Sequence, residues 1–336
     1  MTTLDPWTLI EVIGRGASGT VWRAEGLNRT ATVKIAEVDD AKAARSLQRE
    51  RRVLHRINHP NLPHLIASFE SPLALVLDTL PSQTYGDLLA RGALWAVPIR
   101  QRLDALSAAA AALDYLHGQG IVHRDVKPAH LTVGEPTILF DFGVAHAEGD
   151  FDPPDANAGT AAYMPPEGEP VNKAYDAYAL GVSAYELLFG AHPLLTAADR
   201  SMTPTALRRR AAARFREGEW RQPSLAPRPE LPPDLRAADL SGLDMLFSAA
   251  LGAPDTRPNR LATWIDEVRA CIPVQGSAMA APEVLPAIFA PAHTAGEVAS
   301  GLITDHDQRG IWLATAAIFA LIMLLVFAAI AISVGK

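Results

Sequence analysis

The most constraining stretch is a glycine-rich turn held between two strand patterns. Gly14-Arg15-Gly16-Ala17-Ser18-Gly19-Thr20-Val21 follows a strand pattern over 7–13 and leads into another over 19–24. A dinucleotide-binding glycine turn would open a helix instead, and a Walker loop would need Gly-Lys followed by Ser or Thr. Neither is present, which excludes both of those nucleotide folds at this place. Two readings remain. One is a plain hairpin turn. The other is a hairpin whose backbone amides fold over a polyphosphate without side-chain obstruction.

Downstream, the pattern divides the chain. Further strands are expected over 31–36, 62–69 and 73–77, and a helix over 41–57, where Leu47, Glu50, Leu54 and Ile57 recur three or four apart. From Tyr85 on helices dominate, over 101–117, 174–189, 207–216, 242–251 and 261–271. The coarse expectation is a small β-rich lobe (1–80) followed by a larger α-helical lobe (81–271). Residues 272–310, rich in Ala and Pro, read as a linker. Residues 311–334 are 24 uncharged, mostly apolar positions. As a helix they would span ~36 Å, enough to cross a ~30 Å hydrocarbon core, so a single transmembrane helix is expected. Only Gly335 and Lys336 follow, so no outer domain is expected. The small residues of 301–334 allow helix pairing and a dimer.

Net charge is −7, which gives no reason to expect a nucleic-acid partner. Cys271 is the only cysteine, excluding an internal disulfide and a thiolate metal cluster and fitting a reducing compartment. The N-terminus lacks a basic-then-apolar signal pattern.

Several residues suit phosphate chemistry when taken together. Lys34 ends the strand Ala31-Thr32-Val33-Lys34, and Glu50 lies inward on the next helix. Either alone would be unremarkable; as a pair they suggest an ion pair that orients phosphates. His123-Arg124-Asp125-Val126-Lys127-Pro128-Ala129-His130 carries a carboxylate two positions before a lysine. Asp141-Phe142-Gly143 comes sixteen residues after Asp125, behind an apolar strand expected over 137–140, and its hard oxygen donors suit Mg²⁺.

In this order, and with Gly159-Thr160, Pro165-Pro166-Glu167, Asp176 and Arg257 behind them, these motifs resemble a eukaryotic-type Ser/Thr protein kinase of bacterial style. The resemblance covers residues 7–270 and implies an α+β, bilobal protein-kinase fold, with a kinase domain over 1–271. It implies ATP as phosphoryl donor, Mg²⁺ or Mn²⁺ as metal, and protein hydroxyls as acceptors. It implies roles as well. Asp125 accepts or orients the substrate proton, Lys127 contacts the γ-phosphate, and Thr160 bonds to both. Gly14, Gly16, Gly19, Val21, Thr32, Lys34, Glu50 and Thr132 line the ATP site. Asp78 and Leu80 present hinge backbone groups to adenine, with Leu77 as gatekeeper. Asp141 binds metal, Glu167 pairs with Arg257, Asp176 anchors the catalytic-loop backbone, Arg124 awaits a negative charge from the activation segment, and Leu54, Leu65, His123 and Phe142 form an apolar column between the lobes. An ATP-using domain belongs in the cytoplasm, so the implied protein is single-pass at the plasma (inner) membrane, in contact with membrane lipid through 311–334.

The pattern breaks in three places. His130 stands where the family has a metal-binding Asn, so the chain is either an active kinase with reduced rate and Mn²⁺ preference or a pseudokinase acting as a regulatory module. Thr32 and Thr132 replace an Ala and a large aliphatic residue. Either they make the adenine slot more polar, at about 1 kcal/mol each, and weaken ATP binding, or they show the base only their methyl groups. Between Gly143 and Gly159 no Ser, Thr or Tyr occurs. The carboxylates there either replace a phosphate opposite Arg124 or form a solvated loop. Arg208, Arg209, Arg210, Arg214 and Arg216 read as a solvated face or a contact for anionic lipid or an acidic substrate.

Overall fold

Strand alternation builds the first lobe. The computed structural model describes residues 3–272 apart from 17, 38, 148–157, 167, 228–230, 232–234 and 237. Strands β1 (Thr3–Leu4), β2 (Trp7–Gly16), β3 (Gly19–Gly26), β4 (Arg29–Ile35), β5 (Leu65–Glu70) and β6 (Leu73–Asp78) form one antiparallel sheet in the order β1-β2-β3-β4-β6-β5. Successive side chains leave opposite faces of a strand. Ala31 and Val33 of β4, with Ala74 and Val76 of β6, pack with Trp7 and Leu9 on one side. Leu75 and Leu77 go to the other side, joining the core that runs into the second lobe. Thr32 and Lys34 share this second face. Helix α1 (Ala41–Leu54) covers it, capped by the Asp40 carboxylate on the N–H groups of Lys42 and Ala43.

The second lobe is helical: α2 (Tyr85–Ala90), α3 (Ile99–Gly118), α4 (Lys173–Phe189), α5 (Pro204–Arg216), α6 (Ser241–Leu251) and α7 (Leu261–Ala270), with a short antiparallel pair β7 (Ile121–Val122) and β8 (His146–Ala147). Helix α4 is buried along almost its whole length. It runs from an Asn172 cap to Gly190, whose φ of +72° turns the chain out of the helix at no steric cost. The buried Arg102 of α3 donates to the Leu187 carbonyl at 2.7 Å, satisfying an orphan acceptor at the end of α4.

Three expectations change. Helix α1 stops at Leu54 rather than 57, because the chain turns there toward His59-Pro60. The strand expected over 137–140 reduces to one isolated bridge, Leu131 to Leu139. The arginines on α5 are not one solvated face. Arg208 is buried and donates to the carbonyls of Pro165 and Pro166, and Arg214 pairs with Asp199 at 2.6 Å. Among the described residues no helix is long and apolar enough to cross a membrane; residues 311–334 and the linker lie outside them.

Candidate active site

Lys34 reaches the cleft because it shares the α1-facing side of β4, opposite the Ala31 and Val33 face. Its Nζ lies 2.6 Å from Glu50 Oε2 and 3.4 Å from Asp141 Oδ1. Burial opposes the charge on Lys34, but Asp141 and Glu50 outweigh it and hold its pKa above the ordinary lysine value. Burial raises the Glu50 carboxyl despite Lys34. On Asp141 burial is again opposed and overcome, by Lys34, His130 and Lys127, so that its carboxyl lies far below the usual range.

The catalytic-loop residues are fixed from below. Asp176, in the first turn of α4 and fully buried, accepts from the backbone N–H groups of His123 and Arg124, both at 2.8 Å. It also accepts from His117 Nε2 at 2.8 Å, a partner the sequence did not reveal because nothing in α3 distinguishes that face. Arg124 has φ +70° and Asp141 φ +73°. Non-glycine residues seldom adopt this left-handed region, and such strain gathers at functional sites. The Phe142 ring packs 4.9 Å from His123, and the Gly143 carbonyl accepts from Ser46 and Arg49 of α1.

Asp125 is held by one donor on each oxygen, which leaves lone pairs for a further donor. Its Oδ1 accepts from the Thr160 N–H at 2.9 Å, its Oδ2 from Lys127 Nζ at 3.0 Å, and Lys127 also donates to Thr160 Oγ1 at 2.6 Å. Burial would raise the Asp125 carboxyl, but His130, Lys127 and Thr160 outweigh it and keep it below the ordinary aspartate value.

His130 sits between the Asp125 backbone and the Asp141 carboxylate. Its Nδ1 lies 2.9 Å from the Asp125 backbone oxygen, and its Nε2 lies 3.3 Å from Asp141 Oδ2. A carbonyl only accepts, so Nδ1 carries the proton. Burial, aided by Lys127, pushes His130 down to about 4, leaving an Nε2 lone pair facing a carboxylate at neutral pH. Two acceptors so placed suit a cation between them. Two cis ligands ~2.1 Å from one ion would stand ~3.0 Å apart at a right angle. The donor set therefore fits a divalent ion, with the nitrogen favouring ions softer than Mg²⁺.

Other residues depart from expectation. Arg257 forks onto Glu169, at 2.6 and 2.9 Å; Glu167, its expected partner, lies outside the described residues. The tripeptide Glu167-Gly168-Glu169 offers two carboxylates, and the letters alone do not choose between them. Thr132 is fully buried and its hydroxyl accepts from the Ile138 N–H at 2.8 Å. The Thr32 hydroxyl accepts from the Leu80 N–H at 3.2 Å. Each hydroxyl thus accepts from a backbone N–H. The Asp78 side chain pairs outward with Arg29, while Leu77 lies opposite Thr32 in the sheet. Gly14, Gly16 and Val21 form the β2–β3 hairpin with Gly19, whose φ of +125° only glycine adopts readily. The acidic stretch expected to face Arg124 lies outside the described residues; Arg124 donates to the Val144 carbonyl at 3.2 Å.

A β lobe bearing a buried lysine–glutamate pair, joined at its cleft to two carboxylates of a helical lobe, is of the protein-kinase class. Residues 7–233 match the family model for the protein kinase domain, and the chain belongs to that family. It is similar to a calcium/calmodulin-dependent protein kinase type 1 of Macrobrachium nipponense (30% identity, covering 59% of this chain and 61% of the relative). It is also similar to the serine/threonine-protein kinase PkaA of Streptomyces coelicolor (34%; 56% and 39%) and to PknB of Mycobacterium leprae (30%; 57% and 33%). The chain spans less than two thirds of the length of each of these relatives.

Proposed function

We propose that this protein is an active Ser/Thr protein kinase that transfers the γ-phosphate of ATP to protein hydroxyls. The observation that carries this reading is the convergence of Lys34, Asp125 and Asp141 on one cleft, with His130 seated between the Asp125 backbone and the Asp141 carboxylate. Asp125 orients a substrate hydroxyl and takes up its proton. The hydroxyl oxygen bonds to the γ-phosphorus as the bond to the β-phosphate oxygen breaks, and ADP leaves. Lys127, already bonded to Asp125 and Thr160, faces the charge that develops on the transferred group. Lys34, held by Glu50, steadies the remaining phosphates, and the glycine hairpin roofs them with backbone amides. Asp141 and His130 would hold the divalent ion, which neutralises phosphate charge when bound.

His130 favours a second reading, a pseudokinase module that binds partners without transfer. Incubation with γ-labelled ATP and a generic protein acceptor, in Mg²⁺ and in Mn²⁺, separates the two. Label should enter serine or threonine, faster in Mn²⁺, and vanish in Asp125→Ala; no label in either metal would establish the second reading. Residues 311–334 support a membrane tether with the kinase domain in the cytoplasm. Their deletion should move the protein from the membrane to the soluble fraction.

A further inference from the structure

The two threonines of the proposed adenine slot do different things. Thr132 Oγ1 accepts from Ile138 N–H and so braces the floor of the cleft from within. Thr32 is 4% exposed and lies on the same face of β4 as Lys34. Its Oγ1 accepts from Leu80 N–H, in the segment that leaves β6 for the helical lobe. That amide is a donor which a base entering above Lys34 would use, and the hydroxyl already holds it.

We infer that Thr32 is an affinity-setting residue, a latch that holds the Leu80 N–H until a nucleotide base displaces it. The inference rests on the nucleotide-site reading above. A base that takes the amide exchanges one hydrogen bond for another. A chain with no acceptor at position 32 would offer the amide without that exchange. Valine has the shape of threonine without the acceptor and favours strands, so Thr32→Val removes the latch and leaves β4 in place. One ordinary hydrogen bond corresponds to about two- to tenfold in affinity. The latch also separates base from phosphate, because only a ligand carrying a base competes for Leu80.

The test is calorimetric titration of the wild type, Thr32→Val and Thr32→Ser with a non-hydrolysable ATP analogue and with inorganic tripolyphosphate. Thr32→Val should bind the analogue about two- to tenfold more tightly, Thr32→Ser should match the wild type, and tripolyphosphate should bind all three alike. Amide exchange in the nucleotide-free protein gives a second readout. Leu80 N–H should be protected in the wild type and exchange faster in Thr32→Val. Equal analogue affinity in the wild type and Thr32→Val would overturn the latch, as would a gain that tripolyphosphate shares. If no variant binds the analogue, the nucleotide site itself is wrong and the latch falls with it.

Discussion

Removal of the Asp176 carboxylate should loosen the catalytic loop and lower stability together. Its two oxygens serve three donors: Arg124 N–H on one, His123 N–H and His117 Nε2 on the other. Asp176→Ala strands all three in a fully buried site. An unsatisfied buried donor costs about 1–3 kcal/mol. The loss is offset because a buried charge no longer has to be desolvated, so the net should resemble removal of one partner from a buried charged network, about 3–5 kcal/mol. Asp176→Asn keeps one acceptor but turns an NH₂ group toward a donor on the other side, and should lose about 2–3 kcal/mol. Against a typical total of about 5–15 kcal/mol, both variants fold but with little reserve. Urea unfolding is the assay: the midpoint should fall with little change in slope. The carboxyl is held below its ordinary value because its hydrogen bonds from His117 and the loop outweigh burial. Its contribution is therefore full above the unfolded aspartate range and is lost as pH falls through the folded value, so the wild-type advantage should shrink below about pH 4. Phosphate transfer should fall further than stability, since the anchored peptide leads directly into Asp125. A loss under about 1 kcal/mol for Asp176→Ala would mean that water replaces the carboxylate, and the anchoring argument would be refuted.

Other residues give sharper contrasts. Gly19→Ala would set a Cβ 1.9 Å from the Ile35 carbonyl oxygen at a φ of +125°, and should lower stability by about 2 kcal/mol or more in a thermal melt; Gly16→Ala, with nothing within 4 Å, should leave the melt unchanged and weaken nucleotide binding. His130→Asn should lower the ratio of the Mn²⁺ rate to the Mg²⁺ rate about tenfold in steady-state assays, since an oxygen ligand replaces a nitrogen; an unchanged ratio would remove His130 from the metal site. Burial raises Glu186 to about 7 despite the hydrogen bond from Tyr163. Folded chains then bind a proton that unfolded ones have lost, so stability should fall as pH rises from about 4.5 to 7, and Glu186→Gln should flatten that slope.

Much of the architecture was legible because it is periodic. The Lys34–Glu50 pair was legible because a strand lysine and an inward helix glutamate stand in the order of the other motifs, and the pair forms. The catalytic motifs were legible as an ordered series, since their spacing along the chain reflects a fixed path through the lobes. Choices between neighbouring equivalents were hidden. Glu167 and Glu169 are the same residue type two positions apart, and the letters alone do not reveal that Arg257 pairs with Glu169. Rotamers were hidden too: the polarity of Thr32 and Thr132 was visible, but not that each hydroxyl faces a backbone N–H. The α5 arginines misled because charge suggests solvent, whereas Arg208 finds buried carbonyls. The strand expected over 137–140 failed because its apolar pattern reports burial, and only Leu139 finds a ladder partner.

The central claim is that Lys34, Asp125 and Asp141 act as one unit on a single terminal phosphate. Initial rates of γ-phosphate transfer for Lys34→Met, Asp125→Asn, Asp141→Asn and their pairwise combinations test it directly. Each single variant should lose about a hundredfold or more, and each double should be hardly slower than its worse parent, as for groups that work together. Losses that multiply through the doubles, or singles that keep the wild-type rate, would contradict the account.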